Sequence, residues 1–219
     1  MCEHQQCAAC LGQTPEFDPS DRRSACIWRA RELGAQYQLD YVGCAHSSFA
    51  ATFDALREYG IEFFPKQVQD EVFKGIIGLT GGAGNMNEGT CGAVFGASFA
   101  IAVVTGQGRA QSAGDGGRHT WVASAYIKDS VARLFLDQFG SIVCRDILYQ
   151  RWGAAFASQY PGRSKDFFAY SKGESCRNAT ECIIAQAAGC AAQVIWDYVH
   201  GQGLEEEAIW QAHQPSVEL

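Results

Sequence analysis

Ten cysteines mark this chain, at positions 2, 7, 10, 26, 44, 91, 144, 176, 182 and 190. Thiolates bind soft metals and attack disulfides, so thiols in this number point to a disulfide framework or to metal and redox work. The opening residues, Met-Cys-Glu-His-Gln-Gln-Cys, show no basic stretch followed by an apolar one. We therefore expect a cytoplasmic protein, with the cysteines serving metal or redox chemistry. Four of them stand where helices are expected to begin. Cys44 follows Gly43, Cys91 follows Gly89-Thr90, Cys144 lies three residues after the candidate cap Ser141, and Cys182 falls in the first turn beyond Asn178. Amides at a helix start point outward with partial positive charge, which favours thiolate. Four such starts meeting at one point would build a thiolate-lined pocket at the end of a bundle.

The stretch before and after Cys91 is the most informative. Glycines at 78, 81, 82, 84 and 89 let backbone approach a bound group closely and tolerate positive φ. Gly92, Gly96 and Ala100 then recur every four residues and give a helix face smooth enough for a close crossing. A nucleotide cradle is the other use for such glycines, but there is no Gly-Lys-Ser/Thr and no preceding strand. Asn85, Asn87 and Glu88 are read as turn residues beside Cys91.

At the N-terminus, Cys2-x4-Cys7-x2-Cys10 has ligand-like spacing, that of the first three ligands in plant-type ferredoxins. Cys26 or His4 would complete a second metal or cluster site; a Cys7/Cys10 dithiol and no role at all are the competing readings. Cys176 and Cys190 flank Cys182 and read first as small packed residues. His46 reads as a packed or surface histidine before a donor to the site, and the five tryptophans as core or interface aromatics.

The elements that must position these residues are helical almost throughout. Ser20 or Asp21 caps a helix carrying Ile27, Ala30, Leu33 and Tyr37, and a second runs from about Gly43 to Tyr59. Pro65 opens a third with Val68, Val72, Ile76 and Leu79 in a stripe. An apolar helix starts near Cys91, another carries Ile127, Val131, Leu134, Phe135 and Phe139 to Gly140, and Ser141–Cys144 begins a short one. The last long helix places Ile183, Ala187, Ala191, Val194, Ile195 and Tyr198 on one face, behind a capping-box-like Asn178-x-x-Glu181. The expected fold is all-α: a helical bundle at 23–203, a Cys-rich extension at 1–22 and a tail at 204–219 that docks on the body or on a second subunit.

Acidic residues outnumber basic ones by 24 to 17, for a net charge of −7, which argues against a nucleic-acid partner. The longest apolar run, Cys91 to Val104, is shorter than the roughly 20 residues a bilayer requires, so no membrane span is expected.

Cys44, then Gly-Thr-Cys91-Gly-Ala-Val-Phe-Gly96, then Phe-Gly-Ser-Ile-Val-Cys144-Arg, then Cys182 before an Ala-rich helix, resembles the C-GCAxxG-C-C family of redox-active proteins over roughly residues 40–200. That family includes the split-Soret cytochromes, which are helical dimers with an iron–sulfur cluster. The resemblance implies a [2Fe–2S] cluster on Cys44, Cys91, Cys144 and Cys182, one-electron exchange with a redox partner protein, and a homodimer or a subunit of a larger redox complex. It does not carry haem across. Covalent c-type attachment needs Cys-x-x-Cys-His, and Cys7-Ala-Ala-Cys10 is followed by Leu11. A thiol/disulfide oxidoreductase and a structural zinc protein or accessory subunit are the alternatives.

Overall fold

The structure, a computed structural model, describes residues 16–156, 160, 162–171 and 178–213. Cys2, Cys7, Cys10, Cys176 and His4 lie outside the described residues, and with them most of the expected N-terminal site.

Helix α1, Arg22–Tyr41, starts where the carboxylate of Asp21 accepts from the amides of Arg23 and Ser24, and ends at Val42 in the left-handed conformation. The short Val42-Gly43 link turns the chain back into α2, Cys44–Glu58, antiparallel to α1, so that Tyr37 donates to Asp54 and Arg29 pairs with Glu58. Helix α3, Lys66–Ile76, follows Pro65. Its stripe is only partly inward: Ile76 is buried, whereas Val68 is exposed.

The apolar α4, Gly92–Thr105, runs beside α2 with Gly96 against Ala45 and Phe99 against Phe49. The polar loop after it contains a single helical turn, α5, Arg109–Ser112. The helical stretch before Gly140 is broken in two. It runs as α6, Arg118–Ile127, a wide-turn segment at Lys128–Ala132, and α7, Arg133–Phe139, capped by Gly140. The short α8, Cys144–Trp152, and α9, Ser164–Ser171, follow.

Helix α10, Ile183–Val199, packs antiparallel on α1, with Gly34 against the Ala185 backbone and Arg23 paired to Asp197. Helices α1, α2, α4 and α10 form the bundle core, where Phe49, Leu56, Ile101 and Ile195 are fully buried. The tail does form a helix, α11, Glu206–His213, docked on α6 through Arg118–Glu207 and His213 stacked on Trp121. Among the described residues there is no strand, only an isolated antiparallel bridge between Thr90 and Val143. Nor, among the described residues, is any helix long and apolar enough to cross a membrane. The all-α expectation holds.

Candidate functional site

Each of the four cysteines singled out from the sequence stands at a helix start. Cys44 and Cys144 are the first residues of α2 and α8, and Cys91 and Cys182 are the N-caps of α4 and α10. The capping box expected ahead of α10 is not formed. Asn178 instead bonds the Thr180 amide through its side chain and the Cys182 amide through its carbonyl, so the helix starts later, at Cys182.

Cys91 and Cys144 are brought together by a device that periodicity does not reveal. The segments ahead of them pair through the Thr90–Val143 bridge. The Cys91 amide donates to Ile142 O at 2.8 Å and the Cys144 amide to Gly89 O at 2.9 Å, while Arg145 N reaches Asn87 O at 2.8 Å. The two thiols lie close enough to perturb each other's ionisation. Cys44 arrives from the other side. Its sulfur rests where a Gly92 side chain would be, only 2.3 Å from an added Cβ, and receives the Gly81 amide at 3.5 Å. The glycine-rich lead-in thus admits a sulfur and supplies an N–H to it. Asn85 and Asn87 sit at positive φ, as turn chemistry requires. The buried Asn87 side chain also donates to Phe156 O at 2.8 Å, and its Oδ1 accepts from the Cys144 thiol at 3.7 Å.

Cys44, Cys91 and Cys144 line one cavity of about 120 Å³. Cys182 is fully buried in the same core but is not in the cavity wall; its neighbours Ile183 and Ile184 are. Both it and Cys190, two turns further along α10, act on the Arg31 guanidinium. Among the described residues, no three His, Cys, Asp or Glu side chains are spaced to hold a single metal ion. Cys26 is fully buried in the other half of the core. His46 is a packed histidine, against Phe73 and beneath Tyr41, with its imidazole pushed toward neutrality by burial.

The expectation that every helix start favours thiolate is corrected by burial. Cys91 is shifted down, chiefly by its side-chain interaction with Cys144, helped by the Ala93 and Val94 amides and by Arg151. Burial, then the nearness of Cys91, pushes Cys44 up to about 12, and Cys144 is driven up by its interaction with Cys91 and by burial.

Sequence reasoning missed part of the wall: Gln38, Thr80, Arg151, Trp152, Ser164 and Phe167. Arg151 carried a usable signal, since it lies seven residues after Cys144, two turns along the same helix face. Gln38 Oε1, Thr80 Oγ1 and Arg151 Nε are buried without hydrogen-bond partners, and all three residues line the cavity. Two of these unmet atoms, Thr80 Oγ1 and Arg151 Nε, are donors, and beside three thiols and a guanidinium they suit an anionic, cysteine-held group; the wall supplies three of the four thiolates that an iron–sulfur cluster usually takes.

A protein-family model described as "Putative redox-active protein (C_GCAxxG_C_C)" matches residues 42–194. No curated protein and no solved structure matches the chain.

Proposed function

This chain belongs to the C_GCAxxG_C_C family of redox-active proteins, and on that basis we propose that it transfers single electrons through a [2Fe–2S] cluster held by Cys44, Cys91, Cys144 and Cys182. The observation that carries the reading is the convergence of three family cysteines, from three separate helix starts, on one cavity. The fourth, Cys182, stands at the N-terminal edge of the helix whose next two residues form part of the wall.

Such a cluster, when bound, supplies one-electron oxidation and reduction. The protein's part is to hold and tune it. The Gly81 amide and the helix-start amides Ala93 and Val94 donate toward sulfur, and such hydrogen bonds raise a cluster's potential. Ile147, Leu148, Trp152 and Phe167 keep water from the thiols. The partner is then another redox protein, and a homodimer is the proposed assembly.

One observation favours a second reading. The Cys144 thiol lies beside a Cys91 sulfur shifted toward thiolate, in the same cavity wall, an arrangement suited to a reversible disulfide. In that chemistry Cys91 and Cys144 become joined by an S–S bond, losing two protons and two electrons, and a partner's disulfide is reduced to a dithiol.

Anaerobic purification with iron, sulfide and zinc assays separates these readings. We expect about two iron and two sulfide per chain and an EPR signal on reduction. Cys91→Ser should abolish both, while Cys190→Ser should leave them nearly intact. A colourless protein without iron or sulfide but with a reversible dithiol titration would establish the second reading, and stoichiometric zinc would defeat both.

A further inference from the structure

Among the described residues, Arg151 is the single charged side chain in the cavity wall besides the thiols, and no carboxylate lines it. The field of Arg151 reaches the Cys91 thiol, and its direct contacts are with neutral groups. Its Nη1 donates to Glu181 O at 2.9 Å, its plane lies 5.7 Å from the centre of the Trp152 ring, and its Nε is buried without a partner. Thr80 Oγ1, a second unmet donor, belongs to the same wall. Guanidinium does not shed its proton, so this half-buried side chain keeps a positive charge at the cavity wall, available to an anion that enters it. The bond to Glu181 O also ties Arg151 to the residue just before Cys182.

We propose that the thiol cavity is an anion-selective site in which Arg151 supplies the counter-charge, as a positioning residue for a cysteine-bound cluster or for a small carboxylate brought to the thiols. This deepens the reading above and rests on its premise that the thiol cavity is the site; it does not require that iron be the occupant.

The test has two arms, each on the full chain. In the first, reduced, metal-free protein is alkylated with iodoacetate or with iodoacetamide, and rates at Cys44, Cys91 and Cys190 are read by peptide mass spectrometry. The two reagents are similar in size and differ in charge, so their rate ratio at one pH cancels the thiol's own ionisation. Arg151→Met and Arg151→Gln should lower the iodoacetate preference at Cys44 and Cys91 by about tenfold, as expected for losing a charge within a few ångströms at low dielectric. Arg151→Lys should keep most of it, and Cys190 should not change. An unaltered ratio in both neutral variants, or an equal fall at Cys190, overturns the proposal.

In the second arm, protein loaded with iron and sulfide is titrated potentiometrically. Reduction adds negative charge, so removing Arg151's charge should shift the oxidised-to-reduced balance about tenfold toward the oxidised form, or about 59 mV for one electron. Arg151→Lys should stay near the wild type. Fully loaded Arg151→Met at the wild-type potential would overturn the counter-charge role at a cluster. A wild-type protein that takes up no iron defeats the electron-transfer reading alone, and the alkylation ratio still decides Arg151.

Discussion

Cys26 and Cys91 are both buried cysteines of the same chain, yet their thiols are shifted in opposite directions. Cys91 interacts with the Cys144 side chain and accepts from two helix amides, and is lowered. Cys26 has no such partners in its shift, and burial, with Glu58 adding and Arg22 opposing, pushes it up to about 12 from 9.0. The sequence identifies which cysteines start helices, because Gly43, Gly89 and Ser141 stand just before them. It does not tell which way each thiol is shifted, since that depends on what packs over the sulfur. Cys26 gives a pH prediction. Its folded pKa is raised, so its stabilisation is complete below about 9, where the unfolded thiol ionises, and is lost as pH climbs toward about 12. The loss is at most about 1.4 kcal/mol per pH unit within that window. Urea unfolding at about pH 8 and about pH 10.5 should show Cys26→Ala starting less stable than the wild type but losing less on the alkaline step. Equal losses would mean that Cys26 does not carry the effect; Tyr37 is raised in both proteins and cancels, whereas Tyr59, raised in part by Cys26, changes in the same direction as the effect sought.

Helices were legible where a cap and an apolar period coincide. Asp21, Pro65, Gly140 and the apolar run after Cys91 mark ends that the structure keeps within a residue or two. Two features escaped. Ser130 donates to the Tyr126 carbonyl one turn back and leaves helical geometry, at φ −126 and ψ −105, which splits α6 from α7; a serine hydroxyl competes with the helix ladder in a way that hydrophobic periodicity does not register. The Thr90–Val143 bridge joins segments far apart in the chain, and pairing at that distance leaves no local trace. The small-residue face of α4, by contrast, was visible, and it makes a sharp prediction. A Cβ on Gly96 would lie 1.9 Å from Ala45 O and 2.9 Å from Ala45 C, which are backbone atoms of α2. Gly96→Ala should therefore cost about 1–3 kcal/mol or more, because one helix must move off the other. Gly75 in α3 meets nothing within 4 Å and has no positive φ to protect. Gly75→Ala should leave stability unchanged or raise it by up to about 1 kcal/mol. Urea midpoints read both, and a benign Gly96→Ala would show that α2 and α4 can part by a methyl group at little cost.

At the scale of the whole molecule, the chain is closed by the antiparallel pair α1 and α10, and that closure places Cys182 near the thiol cavity. Arg23 grips Asp197 with two short bonds, Nε to Oδ1 at 2.6 Å and Nη2 to Oδ2 at 2.7 Å. Gly34 lets the helices touch at Ala185. Toward the cavity end, the buried Arg31 donates to the carbonyls of Ala179 and Thr180, just ahead of Cys182. The register of α10 on α1 therefore sets where the fourth cysteine stands. The sequence showed the apolar face of α10 but not its partner, since nothing local links residues 174 positions apart. The side chains of Arg23 and Asp197 are only 29% and 19% exposed, so their pairing is partly shielded from solvent and is bidentate. A double-mutant cycle with Arg23→Ala and Asp197→Ala should give a coupling of about 1 kcal/mol, at the upper end for an ion pair with some solvent contact, and weaker in high salt. If the pair only fastens the far end of the helices, the double variant should still load iron like the wild type once folded. If it sets the register, stability and iron uptake should fall together in both single variants. Measuring the unfolding midpoint and the iron per folded chain on the same four proteins distinguishes the two, and a coupling near zero would mean that packing at Gly34 and Ala185 closes the molecule without help from this ion pair.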